Sequence, residues 1–247
     1  MTVVPSSTST SLTFAQMSEL AAAKGNTLKL KYFPFHGMVE AARFLVYTSG
    51  EKYEFVHPEA WPEDKVNTPF GVLPVLNIIT ESGDNLELAE LAVIENFLAK
   101  RSGFLGNSVW EESIISMIVS STSTVFDKYI VMVIRSPDSI RQELLDRWLD
   151  LTLPEWIKYH EQYLINSGNT GYYLKGSNEV SLAEIKTATL LPAIMKIAEK
   201  REYFSEEKTP ALFKVLETAK KHPEYARWLA SEEYKDYTAK NIALLGF

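Results

Sequence analysis

A tyrosine stands where a strand pattern gives way to a helix pattern, and its hydroxyl is a group that could do chemistry. Tyr32 lies in the stretch LKYFPFHGMVEAARFLVY (residues 30–47), which begins with strand-like alternation and ends with helical spacing. A neutral phenol donates strong hydrogen bonds to anions, and the C-terminal end of a strand beside a helix N-terminus is a favourable place for it. The alternative is a core tyrosine that uses only its ring for packing.

The first half of the chain must position this group with alternating strands and helices. Apolar–polar alternation predicts four strands, at 27–33, 52–58, 72–79 and 85–90. Helical spacing predicts two helices that end at glycines, over 37–50 and 90–103. The order is therefore strand–helix–strand, followed by strand–strand–helix.

The strand signal fades after Leu105, and the rest of the chain is predicted to be helical. Residues 108–134 are apolar and rich in β-branched residues, but their length favours a buried helix over a strand. A long helix over 137–168 should bend at Pro154, because proline removes a backbone donor. Ser181 and Glu184 have the spacing of a capping box at the start of another helix. Two further helical patterns complete this half.

Composition and charge exclude several classes of function. The chain has 247 residues, a net charge of −7, 46% hydrophobic residues and no cysteine. The negative charge argues against nucleic acid or an anionic membrane as the main partner. The lack of cysteine excludes disulfides, thiolate metal sites and cysteine nucleophiles, and it fits a cytoplasmic setting. We expect no secretory signal and no membrane span, since no apolar run approaches ~18 residues.

Four motifs together resemble the glutathione transferase family, and its sigma class and relatives most closely. YFPFHGMVEAAR, WPEDKVNTPFGVLP and ELAVIENFLAK match the spacing of N-terminal motifs, and LKGSNEVSLAEI resembles the signature of the helical domain. The resemblance covers roughly residues 28–240. It implies a thioredoxin-like α/β domain (βαβ-ββα) at 28–103 and an all-helical bundle domain at 106–247. Residues 1–27 would be a mostly disordered extension with one short helix.

The resemblance implies glutathione as co-substrate, and no metal. Only the thiolate of glutathione is reactive, and a free thiol with a pKa of about 8.5 is little ionised at pH 7. Tyr32 is expected to hold the thiolate by a hydrogen bond for attack on a hydrophobic electrophile, or for isomerisation or peroxide reduction. The substrate side is expected to be lined by Phe33, Phe35 and Phe247.

The same resemblance assigns a set of residues to glutathione binding: His36, Trp61, Lys65, Val72, Leu73, Pro74, Glu90 and Leu91. Pro74 matches the family's cis-proline, and its bond would turn the backbone of Leu73 towards the cysteinyl part of glutathione. Lys65 would pair with the glycyl carboxylate beside Trp61. Glu90 would face the γ-glutamyl group at the start of a helix.

Several positions depart from the family pattern. Leu91 replaces a serine whose hydroxyl would receive the γ-glutamyl carboxylate, and losing such a bond costs on the order of 1.5–3 kcal/mol. Val72 replaces a frequent polar or basic residue. His36 stands where arginine is common, so it would assist at the thiol or remain a surface residue. The sigma class often has acidic residues facing the dimer cleft, and the matching positions here are Ser120, Ser123 and Thr124.

These departures leave two interpretations open. Tyr32 and Pro74 favour a catalytic, detoxifying transferase, whereas Leu91 favours a non-catalytic relative that binds a hydrophobic ligand or a protein and has weakened glutathione affinity. A generic helical interaction domain would ignore the first half of the chain. The resemblance also implies a homodimer, in which Phe70 is the aromatic residue that inserts into the partner subunit.

Overall fold

The computed structural model describes residues 12–245, and they form two compact units. One unit comprises the residues as far as Gly103 together with those from Ala230 onward, and the other comprises Phe104–Leu229. The sequence pattern assigned the whole C-terminal half to a helical domain. The last helix instead groups with the first unit, because its side chains contact the strands of that unit. The predictions for residues 1–11 and for Phe247 lie outside the described residues.

The first unit is built on a four-stranded sheet. Its strands are β1 (Thr27–Lys31), β2 (Lys52–Val56), β3 (Val75–Ile79) and β4 (Asn85–Ala89). The spatial order is β2–β1–β3–β4, with β2 parallel to β1 and with β3 antiparallel to both β1 and β4. Alternate residues of β1 are buried, which is the pattern that its alternating sequence predicted. This topology confirms the thioredoxin-like α/β arrangement.

Helices make up most of the remaining structure. In chain order they are α1 (Phe14–Ala22), α2 (Glu40–Thr48), α3 (Leu91–Ser102), α4 (Val109–Tyr129), α5 (Asp138–Arg147), α6 (Leu153–Asn166), α7 (Leu182–Ile197), α8 (Pro210–Lys221), α9 (Pro223–Ala230) and α10 (Glu232–Leu245). A short 3-10 turn, Gly37–Val39, leads into α2. α2 packs against α3 and the sheet, so it buries every residue from Glu40 to Val46.

The second unit is a helical bundle that surrounds α7. The predicted capping box is confirmed: the backbone N–H of Ser181 donates to the Glu184 carboxylate at 2.7 Å. α7 is buried along most of its length between α4 and α8. The continuous helix Val109–Ile134 is apolar and long enough to cross a membrane by length and composition alone. Its packing on α7 buries only part of that apolar surface, since 39% of its most apolar window is buried.

The helix predicted to bend at Pro154 is interrupted at that place. α5 ends at Arg147, a π-helical segment follows over Trp148–Thr152, and α6 begins at Leu153 with the proline in its first turn. Proline cannot donate to the carbonyl one turn earlier, so the backbone widens just before it. The position of the interruption was predictable from the sequence, whereas its π-helical form was not.

Candidate active site

The backbone of Tyr32 is fixed at the C-terminal end of β1. Its N–H donates to the carbonyl of Val56 at 3.0 Å, which extends the pairing of β1 with β2 by one residue. Its own carbonyl accepts a hydrogen bond from Nδ1 of His57 at 2.8 Å. Tyr32 is half-buried. β2 and the residue that follows it therefore hold Tyr32 through both its backbone N–H and its carbonyl.

The hydroxyl of Tyr32 lies against the start of the helical segment. A Cβ built on Gly37 would lie 3.1 Å from the Tyr32 oxygen and 3.1 Å from the ring of Phe35. Gly37 also has a φ of 53°, in the left-handed region that favours glycine. The glycine thus brings the first turn before α2 close to the phenol, which is the juxtaposition that the sequence predicted.

An aromatic cluster surrounds the phenol. The rings of Phe33 and Phe35 are stacked, with centroids 5.7 Å apart and planes within 4°. Tyr32 contacts both rings edge-on. Trp61 packs edge-on against Phe33 at 5.7 Å. Three of the predicted site residues are therefore gathered around Tyr32 in one unit, and they present apolar surface.

One further predicted residue, Lys65, lies near the cluster on the loop after β2. Lys65 lies in the 3-10 segment Glu63–Asn67, and its Nζ is 5.6 Å from the centroid of the Trp61 ring. Lys65 is exposed, and no ion pair joins it to a carboxylate within residues 12–245. An ammonium held over an indole face and left without an internal carboxylate can receive an external one.

The predicted cis bond is present between Leu73 and Pro74. Pro74 is buried, Leu73 is half-buried and Val72 is exposed. The ladder of β3 begins only at Val75, which pairs with Lys31 and Ala89. The backbone of Leu73 thus lies just ahead of the paired strand.

The start of α3 carries two further predicted residues, Glu90 and Leu91. Glu90 is exposed, with a φ of 70° that is uncommon for a residue with a side chain. Leu91 is the first residue of α3, and no side chain caps this helix. The first N–H groups of a helix have no partner within the helix, and together with the helix dipole they attract anions. This end can therefore hold a carboxylate through backbone amides.

His36 is held within the first unit by both of its ring nitrogens. Nδ1 donates to the Glu40 carboxylate at 2.6 Å, and Nε2 lies 2.8 Å from the hydroxyl of Thr238 on α10. Its ring also packs against Tyr234 at 4.7 Å. These contacts give His36 a structural role between α2 and α10, which differs from the predicted role beside a thiol.

Arg43 is a residue whose role the sequence reasoning missed. It is 1% exposed, and its guanidinium donates to the carbonyls of Phe33 and Phe35 at 2.7 Å each. It therefore fixes the segment that follows Tyr32. The signal in the sequence was a lone arginine on the apolar face of α2, because a buried charge requires partners.

The chain matches one family model and resembles several known proteins. The family described as glutathione S-transferase, C-terminal domain, matches residues 124–232. Glutathione S-transferase 3 of Caenorhabditis elegans is 25% identical over 211 residues, which cover 82% of this chain and 95% of that protein. Probable glutathione S-transferase 7 of the same species is 35% identical over 92 residues, which cover 36% of this chain and 42% of that protein.

A solved structure shares the fold. The sigma class glutathione transferase of Fasciola hepatica superimposes with a TM-score of 0.69 at 22% identity, covering 83% of this chain and 96% of that chain. The common features are a thioredoxin-like sheet in the first part of the chain and helices in the second. Sequence and fold thus agree over most of the chain.

Proposed function

We propose that this chain, which is similar to glutathione S-transferases in sequence and fold, is a cytoplasmic member of that family whose Tyr32 stabilises the thiolate of glutathione for attack on a hydrophobic electrophile. The single observation that carries this proposal is the Tyr32 hydroxyl at the end of β1, against Gly37 at the start of the helical segment. A phenol there donates to an anion, and the helix start adds a favourable field.

The chemical step needs only a modest electrostatic preference. Each unit by which the thiol pKa falls corresponds to ~1.4 kcal/mol of preference for the thiolate. Tyr32 keeps its proton and donates a hydrogen bond to sulfur, while the thiol proton leaves to solvent. The sulfur lone pair then forms the new C–S bond, and the leaving group departs with the electron pair of the bond that breaks. Isomerisation or peroxide reduction would use the same thiolate.

The three parts of glutathione have complementary partners on the first unit. Lys65, beside Trp61, would pair with the glycyl carboxylate. The backbone of Leu73 would pair with the cysteinyl amide, as an extra antiparallel strand does. The N–H groups at the start of α3 would receive the γ-glutamyl carboxylate, with Glu90 facing the amine. The stacked pair Phe33 and Phe35 favours an apolar electrophile.

A second function is favoured by Leu91. Its side chain leaves the γ-glutamyl carboxylate with backbone donors and no hydroxyl, so glutathione affinity would be lower by one to two decades at ~1.5–3 kcal/mol. A chain with such weak affinity would serve as a binding protein for a hydrophobic ligand. Calorimetric titration with glutathione separates the two candidates, because the enzyme requires binding at millimolar glutathione or below.

Removing one hydroxyl tests the mechanism. Tyr32→Phe should lower turnover of an aryl halide with glutathione by some 30- to 150-fold, from a loss of about 2–3 kcal/mol in transition-state stabilisation. Glutathione affinity should change only a few-fold, because the neutral thiol needs the donor less than the thiolate does. The matched control is Tyr159→Phe, at a tyrosine 59% exposed on α6 of the other unit.

The result has two opposing outcomes. Equal turnover for Tyr32→Phe and the parent across several electrophiles would remove Tyr32 from the mechanism. Glutathione binding without turnover in the parent itself would favour the binding protein.

A further inference from the structure

One buried side chain holds the segment Phe33–His36, which joins Tyr32 to Gly37. Nη2 of Arg43 donates to the carbonyl of Phe33 at 2.7 Å, and Nη1 donates to those of Phe35 at 2.7 Å and His36 at 3.3 Å. The guanidinium carbon lies 5.7 Å from the centroid of the Tyr32 ring. The path of this segment determines the orientation of the phenol, so Arg43 helps to fix Tyr32 by holding the residues that follow it.

The helix α10 covers this guanidinium with an aromatic ring. The centroid of the Tyr237 ring is 3.8 Å from Cζ of Arg43, and Tyr237 is only 4% exposed. A cation held on a ring face away from water is a strong form of this contact. The same ring contacts His57 at 5.9 Å, and His57 donates to the carbonyl of Tyr32. Tyr237 thus touches two groups that fix Tyr32.

The next residue of α10 contacts the other end of the segment. The hydroxyl of Thr238 lies 2.9 Å from the carbonyl of Tyr234 and 2.8 Å from Nε2 of His36. Nδ1 of His36 donates to Glu40 at 2.6 Å. His36 is therefore clasped between α2 and α10, directly before Gly37.

The start of α10 is anchored separately. The hydroxyl of Tyr53 on β2 donates to the Glu233 carboxylate at 2.9 Å. Burial, and then that carboxylate, raise the pKa of Tyr53 well above its ordinary value, so the hydroxyl remains a donor. The ring of Phe55 on the same strand packs against Tyr237 at 6.1 Å. The position of α10 on this unit is thus set by several independent contacts.

We propose that α10 is a positioning element for the reaction at Tyr32. Tyr237 acts through Arg43 and His57, and Thr238 acts through His36, to hold the segment that orients the phenol. The proposal rests on the proposed function, since it concerns the alignment of Tyr32 with a thiolate. Preorganised donors lower a barrier because they need not reorient during the reaction. Loosening α10 should therefore affect the charged sulfur more than the binding of neutral glutathione.

Three variants separate positioning from simple stabilisation. Tyr237→Leu removes the ring face over Arg43, Tyr237→Phe keeps it, and Thr238→Val removes only the hydroxyl that contacts Nε2 of His36. Ile242→Ala is the control, at a residue of the same helix that is 55% exposed. Each variant is measured for thermal unfolding, for kcat and KM towards glutathione, and for the pH at which bound glutathione gains thiolate absorbance. Hydrogen exchange of the amides of Phe33, Phe35 and His36 is followed without glutathione.

We expect a pattern that loss of folding alone would not give. Tyr237→Leu should lower kcat about fivefold or more and raise the thiolate-forming pH by roughly half a unit, with KM for glutathione within about twofold. Thr238→Val should shift the same quantities in the same direction. Tyr237→Phe and Ile242→Ala should behave like the parent. Exchange at the three amides should accelerate in Tyr237→Leu and Thr238→Val.

The exchange measurement keeps the inference independent of the activity. The inference would be overturned if Tyr237→Leu kept the parental exchange rates at Phe33 and Phe35. It would also be overturned if kcat and KM changed only in proportion to the thermal midpoint of each variant. A parent without turnover would reject the proposed function, and the exchange rates would still decide whether α10 orders the segment. If Tyr237→Leu does not fold, the same measurements on Thr238→Val test the inference, because this substitution exchanges a hydroxyl for a methyl group of similar size.

Discussion

Leu91 is the residue at which this chain differs most from what its proposed ligand requires. It opens α3, where backbone N–H groups are uncapped, but it supplies no hydroxyl. Leu91→Ser should therefore tighten glutathione binding by roughly tenfold or more, from one added hydrogen bond to a charged group. Calorimetry gives the dissociation constant directly.

The neighbouring exposed position provides a control for this change. Val93→Ser, at a residue 49% exposed on the first turn of the same helix, should leave the constant unchanged. An equal or weaker affinity for Leu91→Ser would indicate that the pocket is adapted to leucine and holds a different ligand.

The residues of the site differ in how far the sequence could predict them. Tyr32, Pro74 and Leu91 sit at junctions of elements, and the patterns on either side locate a junction to within a few residues. His36 shows the limit, because its partner Thr238 is 202 positions away in the chain. Local spacing carries no information about such a partner, so the predicted role at the thiol could not be tested against the alternative from sequence.

Helices α4, α6 and α7 of the second unit are joined by a chain of polar groups that is buried except at Ser121. The hydroxyl of Thr187 donates to its own helix, so Tyr173 donates to Thr187, and His160 donates from Nδ1 to Tyr173 at 3.1 Å. Nε2 of His160 then accepts from Ser121 at 2.9 Å. Every member is satisfied with the histidine neutral, and burial lowers the pKa of His160 to about 4.

This network predicts acid sensitivity of the second unit. The folded pKa of His160, about 4, lies below its ordinary value of 6.5, so the unfolded chain binds more protons between these limits. Stability should rise with pH across this window and be lost as the pH falls through it, by about 2 kcal/mol between pH 7 and pH 5.

Urea denaturation at several pH values, with the free energy of unfolding compared between the parent and His160→Gln, checks this effect. The variant should be less stable at pH 7 by ~1–2 kcal/mol, from lost hydrogen bonds, but should show a flatter acid slope. Parallel slopes for the two proteins would contradict the assignment.

The ends of helices were predicted well where one local sequence signal sets them. The packing partners of a helix were predicted poorly, because they depend on residues far away in the sequence. The capping box fixed the start of α7, and glycines fixed the ends of α2 and α3 to within two residues. The grouping of α10 with the first unit depends on contacts with β2 and α2, which lie far away in the sequence. Its amphipathic pattern fits a helix on either unit, so the pattern alone does not identify the residues that it packs against.

At the scale of the whole molecule, the loop before the cis-proline offers an apolar surface for assembly. Phe70 is 70% exposed and Val66 is 74% exposed, although large apolar side chains are costly in water. The chain is expected to form a two-fold dimer of about 56 kDa, with Phe70 buried in the partner. Phe70→Ala should weaken the dimer by roughly tenfold or more, from the loss of about 1.5–3 kcal/mol of burial.

Light scattering over a range of concentrations measures this equilibrium. Phe14→Ala, at a phenylalanine 84% exposed on α1, should leave the mass unchanged. A parent that stays at 28 kDa at all concentrations would exclude the dimer.

The discontinuous first unit has a consequence for how the protein is made. Its sheet leaves the ribosome first, but α10, which covers Arg43 and clasps His36, is synthesised after the whole helical bundle. The unit begun first is therefore the last to be completed, and the bundle can fold while the sheet still lacks its final helix. During translation the aromatic residues of β2 stay uncovered by α10 until the bundle has been synthesised, and exposed apolar surface of this kind is prone to misassembly.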